Sequence, residues 1–183
     1  VEACDTALAL DPSNPTFRSC GLSNSIAGRY ERAQQFLELS PGTDFYNANR
    51  SVAYMRLDRL EEAVEAARPL NYPWQASVLE ARLEGNPLPR DQVQLIVDGT
   101  LALRDAEQAG WVGPILAYVD EHEAAMQLIR EGIERGYCMY PWMLTDPLLA
   151  NLSIDPELAD QWAEALDAGQ ACHERFLAET SGG

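Results

Sequence analysis

A motif that recurs after thirty residues constrains the fold of this chain more than any other feature. GRYERA begins at Gly28 and DRLEEA begins at Asp58, and both run from an arginine through a large apolar residue and a charged stretch to an alanine. The matching offset extends upstream, to Phe17, Cys20 and Gly21 in one copy and to Asn47, Arg50 and Ser51 in the other. Such periodicity is typical of helical solenoids, in which each repeat is one supersecondary unit.

Helix-forming residues dominate the chain, and the Val/Ile/Thr alternation of strands is nearly absent. The apolar residues of one stretch recur at helical spacing: Leu60, Ala63, Val64 and Ala67. We therefore predict an all-α chain. Its last helix is expected to have Asp155 as cap and Pro156 at the first position. One face of that helix is predicted to hold Leu158, Trp162, Leu166, Gly169 and Phe176.

The repeated pattern resembles the tetratricopeptide repeat (TPR), whose signature is W-x₂-L-G-x₂-Y, then A-x₃-F, then P. The first copy matches at Phe17, Cys20, Gly21, Gly28, Tyr30, Ala33 and Pro41. The second copy matches at Tyr54, Leu57, Leu60, Ala63 and Ala67. The resemblance implies a right-handed α-solenoid of antiparallel helix pairs, with small residues at Gly21 and Ala33 allowing close approach.

Matching is clear over residues 1–70 and weak over 71–136, so the resemblance implies a TPR-like array over 1–136. A third copy runs from Trp74 to Gly85, and another lies near Ile115–Gly136, where Asp120 and Ala124 resemble the turn and the alanine. The stretch PWMLTDPLLANLSIDPELADQW has two D-P helix starts, at Asp146-Pro147 and Asp155-Pro156, and resembles the closing segment of bacterial regulators linked to adenylate cyclases or winged helices. The expected closing segment is residues 137–183.

In this closing segment we expect capping helices that cover the apolar end of the stack, and a flexible tail at about 178–183. The capping residues are predicted to be Trp142, Leu148, Leu149, Leu152 and Trp162. Because Val1 falls inside a second helix of the pattern, we expect the chain to be a fragment of a longer protein.

In TPR modules the first helix of each pair lines a concave groove. The resemblance therefore implies a partner-binding face made of Arg18, Phe45, Asn49, Val52, Arg56, Gln75 and Arg82. Asn49 matches the position where the family often places an asparagine that grips a peptide backbone. Three arginines on this face would suit a protein or extended peptide with carboxylates. Internal salt bridges to neighbouring Asp and Glu are the alternative for each arginine.

The expected function is a non-enzymatic protein- or peptide-interaction module, the regulatory or sensory part of a larger bacterial protein. The alternative is an architectural segment that mediates self-association, for example as a homodimer. The formal net charge of −16 argues against nucleic-acid or anionic-lipid binding. No apolar run has the ~18 residues of a membrane-spanning helix, so membrane insertion is not expected.

The sequence contains few residues or motifs that are typical of catalytic or metal-binding sites. All thirteen basic residues are arginine, which excludes a lysine Schiff base or a P-loop lysine. DEHEAAM, Asp120 to Met126, begins like H-E-x-x-H but has methionine in place of the second histidine. We expect His122 in an exposed turn before a helix, His173 near the end of the last helix, and no catalytic, cofactor or metal site.

The four cysteines, Cys4, Cys20, Cys138 and Cys172, are widely separated and form no C-x-x-C motif. We expect them to be buried, reduced and packed as small apolar residues, because disulfide frameworks are typical of smaller secreted chains. Reduced cysteines favour the cytoplasm, whereas a location on the extracytoplasmic side of a membrane-bound regulator stays open.

Overall fold

The computed structural model describes residues 2–138 and 140–180, and every regular element in these ranges is a helix. The prediction of an all-α chain is confirmed. The chain forms two compact units, Val1–Asn86 and Pro87–Gly183. The helices of the first unit are α1 (Glu2–Leu10), α2 (Ser19–Ile26), α3 (Tyr30–Leu37), α4 (Asp44–Arg56), α5 (Leu60–Ala67) and α6 (Trp74–Glu84). Those of the second are α7 (Arg90–Ala102), α8 (Ala106–Tyr118), α9 (His122–Glu134), α10 (Ala150–Ile154) and α11 (Ala159–Thr180).

The two compact units divide the chain between residues 86 and 87, and the predicted division of repeats from cap at residues 136 and 137 stays a prediction. In the second unit, α8 contacts the 3₁₀ turn Pro147–Leu149, and α9 contacts α11. These contacts place the α8–α9 pair in one compact unit with the closing segment. The assignment of residues 71–136 to repeats stays a prediction. Of the predicted flexible tail, residues 178–180 are helical, and residues 181–183 lie outside the described ranges.

Three helix pairs are joined by the same turn: α2 with α3, α4 with α5, and α8 with α9. Each turn has one residue in the left-handed region, namely Gly28 (φ 71°), Asp58 (φ 55°) or Asp120 (φ 65°). In all three turns the next N–H donates to the carbonyl five residues earlier at 2.9 Å, from Arg29 to Asn24, from Arg59 to Tyr54 and from Glu121 to Leu116. This is the Schellman geometry, which satisfies carbonyls at the end of the first helix.

The paired helices also approach closely at equivalent positions. Seven residues before each turn residue stands a small side chain: Gly21, Ser51 or Gly113. A Cβ atom at Gly21 would lie 3.3 Å from the Ala33 carbonyl oxygen and 2.7 Å from the Leu37 side chain. The Ser51 hydroxyl donates to the Ala63 carbonyl at 2.8 Å. A Cβ atom at Gly113 would lie 3.3 Å from the Ala125 carbonyl oxygen. A larger side chain would therefore push each pair apart.

The third of these pairs corrects one residue of the predicted repeat. Ala125, not Ala124, follows Asp120 by the five residues that separate Gly28 from Ala33. Ala125 is fully buried against α8, whereas Ala124 is partly exposed. The prediction of Ala124 was wrong by one position, because two adjacent alanines look equivalent in the sequence and only packing distinguishes them.

The closing segment of the second unit buries most of the residues predicted for it. Leu148, Leu149, Leu152 and Trp162 are buried, and Trp142 is partly exposed. Helix α11 begins at Ala159, later than predicted, because Asp155 caps the preceding turn through its Oδ1, which accepts from the Glu157 N–H at 2.9 Å. Phe176, which was predicted on the same helix face as Trp162 and Gly169, is 55% exposed near the end of α11.

The prediction of four reduced cysteines was also wrong. Cys4 is bonded to Cys20 and Cys138 to Cys172, and no cysteine of the described residues is free. Tertiary packing brings the Cα atoms of these pairs to 5.7 and 5.3 Å, within the range that a disulfide requires. Sequence separations of 16 and 34 residues gave no local sign of this proximity.

Candidate functional site

The predicted partner-binding face lies in the first unit, with its central residues on α4. Phe45, Asn49, Val52 and Arg56 are spaced at three and four residues, so they share one face of that helix. Phe45 is partly exposed. The other three are buried, with exposed fractions of 6% for Asn49, 2% for Val52 and 7% for Arg56. Only the end of this face at Phe45 therefore offers substantial surface.

Arg18 and Phe45 lie together at that end. The Arg18 guanidinium carbon is 5.6 Å from the centroid of the Phe45 ring, which is a cation–π distance. Its Nη1 also donates to the Pro15 carbonyl at 3.3 Å. Arg18 belongs to the 3₁₀ turn Pro15–Arg18 that precedes α2, so this contact joins the start of the α2 region to the start of α4. The arginine is exposed and is held in place by an aromatic ring.

Arg56 joins α2 and α4 at the other end of the face. Its Nη1 donates to the Ser25 Oγ at 2.7 Å, and both side chains are buried. A buried guanidinium is stable only when its donors are satisfied, so this contact makes Arg56 part of the interior of the unit. Its charge is therefore less accessible than the sequence alone suggested.

Two amides of the predicted face differ in how their hydrogen bonds are met. The Asn49 Nδ2 donates to the Phe45 carbonyl at 2.8 Å, within the same helix. Gln75 on α6 is fully buried, and neither its Oε1 nor its Nε2 has a hydrogen-bond partner among the described residues. Such an amide lowers the stability of the fold by its desolvation penalty. Arg82, also on α6, is partly exposed.

A cluster on another face of α4 was not predicted. Arg50 donates to the Tyr54 hydroxyl from Nη2 at 3.0 Å and from Nε at 3.2 Å. Its guanidinium carbon lies 5.6 Å from the Tyr46 ring centroid and 5.3 Å from that of Tyr54. Burial and the hydrogen bond to Glu38 raise the pKa of Tyr46, and the hydrogen bond to Tyr54 raises that of Arg50. The four-residue spacing of these side chains was the sequence signal that could have revealed the cluster.

In the second unit, His122 forms a pair with Asp155. The His122 Nδ1 lies 2.9 Å from the Asp155 Oδ2, and the hydrogen bond lowers the pKa of Asp155. His122 is the first residue of α9 and its side chain is only 21% exposed, so the predicted exposed turn was wrong. Its Nε2 is buried without a hydrogen-bond partner among the described residues. Burial raises the pKa of the adjacent Glu121.

These side chains do not assemble further into a recognisable metal centre. Among residues 2–138 and 140–180, no group of three or more His, Cys, Asp or Glu side chains is placed to hold a metal ion. His173 contacts an aromatic ring instead, with its centroid 6.1 Å from that of Tyr140. In the same ranges, no helix has both the length and the apolar character needed to cross a bilayer.

Comparison with known proteins found no relative of this chain. No family model, no curated protein and no solved structure matches the chain. The geometry of the helix pairs and of the α2–α4 face therefore carries the functional argument.

Proposed function

We propose that this chain is a non-enzymatic module that binds a protein or an extended peptide, as the regulatory or sensory part of a larger bacterial protein. In this proposal the helix pairs of the first unit are antiparallel TPR-like repeats of a right-handed solenoid. The main support for this proposal is that one helix–turn–helix geometry occurs three times. Each copy has the same hydrogen bond at the turn and the same close approach of the two helices seven residues before the left-handed turn residue. Repeats of this kind are used mainly to build extended binding surfaces.

Contacts between α2 and α4 support the choice of face. The Arg56–Ser25 hydrogen bond joins these two helices directly, and the Arg18–Phe45 contact joins their N-terminal ends. Both helices are the first members of their pairs. Direct contact between first helices is what a solenoid needs if those helices are to line one continuous face.

Exposure divides the predicted binding residues into two groups with different roles. Arg18, Phe45 and Arg82 retain exposed surface. Asn49, Val52, Arg56 and Gln75 are buried, and we assign them the role of maintaining the shape of the face. A partner would thus meet an aromatic ring and guanidinium groups first. An extended peptide with carboxylates suits this surface, because guanidinium groups bind carboxylates through paired hydrogen bonds.

The test is selection of displayed extended peptides against the full chain, followed by fluorescence anisotropy on the selected peptides. We expect acidic peptides to be enriched. The substitutions Arg18→Gln and Phe45→Ala should each weaken their binding by about tenfold, the effect of losing one favourable contact of about 1.4 kcal/mol. Binding should also weaken with added salt.

Arg175→Gln is the matched control, because Arg175 is an exposed arginine on α11 in the second unit. This change should leave peptide affinity unaltered. The proposal is wrong if no peptide is enriched, or if Arg175→Gln weakens binding as much as Arg18→Gln does.

The alternative function, self-association, is favoured by one observation on α7. Leu95 on α7 and Leu103, the residue that caps its C-terminal end, are 73% and 64% exposed and stand eight residues apart, a spacing that belongs to one broad helical face. Light scattering across a concentration series tests this alternative. A dimer that the double substitution Leu95→Gln/Leu103→Gln abolishes, together with no enriched peptide, would support self-association over peptide binding.

A further inference from the structure

Helix α1 is attached to the first unit without a fully buried side chain, and its apolar residues Ala7 and Leu8 are only partly buried. None of its nine residues is buried, and Leu10 at its end is 82% exposed. An isolated helix of this length is marginal in water, since helices shorter than about 12–15 residues rarely form alone. Partial apolar burial of this extent is weak support for so short a helix, and contacts of other kinds therefore contribute to holding α1 in its observed position.

Two kinds of contact tie α1 to the rest of the unit. The first is covalent: the Cys4–Cys20 disulfide bonds α1 to α2. The second is a pair of ion pairs from Asp5, whose Oδ1 accepts from Arg32 Nε at 2.7 Å and whose Oδ2 accepts from Arg29 Nη2 at 3.2 Å. The Asp5 carboxylate and the two arginine side chains all remain partly exposed, and ion pairs of this kind contribute little to stability.

The two arginines form a receptor for a carboxylate that Asp5 occupies. The Arg32 guanidinium carbon lies 5.2 Å from the centroid of the Phe36 ring, and its Nη1 donates to Gln35 Oε1. These contacts orient the Nε of Arg32 toward Asp5. The hydrogen bond from Arg32 is the main reason why the pKa of Asp5 is lowered. An open cleft beside them is lined by Asp5, Gly28, Arg29, Glu31, Arg32 and Gln35.

We propose that α1 is a redox-controlled strap, which the Cys4–Cys20 disulfide holds with Asp5 in the Arg29–Arg32 receptor and which reduction of that disulfide releases. The reductant is a dithiol. It transfers two electrons and two protons to the Cys4–Cys20 bond, which breaks into two thiols, while the dithiol closes to its own disulfide. Once the covalent tie is lost, the ion pairs alone do not keep a short exposed helix ordered, and the two guanidinium groups become free for another carboxylate.

The locked strap is the form expected in an oxidising compartment. All four cysteines are paired, and persistent disulfides are characteristic of extracytoplasmic environments. This reverses the cytoplasmic preference that reduced cysteines implied. The strap uses other residues than the proposed peptide-binding surface, because it consists of Cys4, Cys20, Asp5, Arg29 and Arg32 and not of Arg18 or Phe45.

The experiment is amide hydrogen exchange of the full chain, read at residues 2–10 and at α3–α5. Three samples are compared: the oxidised chain, the oxidised chain after treatment with a dithiol, and the variant Cys4→Ser/Cys20→Ser. We expect residues 2–10 to be protected only in the oxidised chain and to exchange like an unstructured chain in the other two. Helices α3–α5 should stay protected in all three samples.

Two further variants separate the strap from a general loss of structure. Cys138→Ser/Cys172→Ser removes the other disulfide and should leave residues 2–10 protected. Asp5→Asn should also leave them protected while the disulfide is intact. The proposal is overturned if residues 2–10 stay protected in Cys4→Ser/Cys20→Ser, or if α3–α5 lose protection with them. It is equally overturned if alkylation without reduction shows free thiols at Cys4 and Cys20.

Discussion

At the scale of single residues, one hydrogen-bonded pair connects two distant parts of the second unit. His122 begins α9, and Asp155 stands in the turn before α11, 33 residues later in the chain. Asp155 uses one carboxylate oxygen for His122 and the other for the Glu157 N–H. One oxygen therefore connects Asp155 to α9, and the other caps the turn before α11. A substitution at Asp155 can remove the first role and keep the second.

Asp155→Asn is predicted to lower the melting temperature at neutral pH, and this loss should shrink as the solution is acidified. The native pKa of Asp155 lies below its ordinary value because of the hydrogen bond from His122. The carboxylate therefore stabilises the fold above that ordinary value, and the stabilisation is lost as the pH falls through the lowered native pKa. Thermal unfolding of both proteins from neutral to strongly acidic pH measures the effect.

Asparagine retains an oxygen that can accept from the Glu157 N–H, so the cap is preserved while the charge is removed. Asp167→Asn makes the same change at an exposed position of α11 and should produce no pH-dependent difference. A melting-temperature gap between the chain and Asp155→Asn that stays constant down to acid pH would contradict the assigned role.

At the scale of elements, the repeated helix pair depends on small residues where the helices cross. The backbone carbonyl of an alanine in the second helix faces Gly21, Ser51 or Gly113 of the first. The left-handed turn residue is glycine in one pair and aspartate in the other two, and all three turns keep the same hydrogen bond. The small residue at the helix crossing is thus as characteristic of the repeated helix pair as the turn is.

Gly21→Val is predicted to destabilise the fold by about 1–3 kcal/mol, the usual cost of overpacking a filled interior. The added side chain would begin 2.7 Å from Leu37, which is itself buried and has little room to move. Urea unfolding followed by far-UV circular dichroism gives the free energy of unfolding.

Gly99→Val is the matched control, because apart from the backbone of α7 itself and the adjacent residues no atom lies within 4 Å of a Cβ placed at that glycine. Valine also has a higher helix propensity than glycine, so this variant should be unchanged or slightly more stable. If the free energy of unfolding falls by the same amount in both valine variants, the close approach at Gly21 does not limit the packing of α2 on α3.

At the scale of the whole molecule, charge opposes the compact state. Twenty-nine acidic and thirteen basic residues leave a net charge of −16. Many arginines are already engaged in surface ion pairs, such as Arg59 with Glu62 and Arg135 with Glu131. The remaining acidic groups repel one another, and folding brings them closer together.

The melting temperature is therefore predicted to rise with sodium chloride between low and physiological ionic strength, because the Debye length shortens from about 30 Å to about 8 Å. Differential scanning fluorimetry across a salt series measures this. Sucrose at matched osmolality controls for nonspecific solute effects. A melting temperature that falls with salt would mean that attractive ion pairs outweigh the net repulsion.

Local patterns in the sequence predicted the elements of this fold well. Helix periodicity and propensity are properties of neighbouring residues, so the all-α class could be read directly. The repeated motif that contains Gly28 and Asp58 was also visible, because its residues lie within six positions, whereas the alanine that follows the turn at Asp120 was misplaced by one residue. The solenoid, the TPR relationship and the partner-binding function stay predictions.

The sequence by itself determined that this chain is helical and that one short motif recurs, because hydrophobic period, turn chemistry and helix propensity act between near neighbours. Tertiary structure decided which residues are buried and which distant ones meet. The Cys4–Cys20 bond, the His122–Asp155 pair and the buried Arg56–Ser25 contact each join residues 16 to 33 positions apart. Those distances depend on how helices pack, and no local pattern in the chain encodes them.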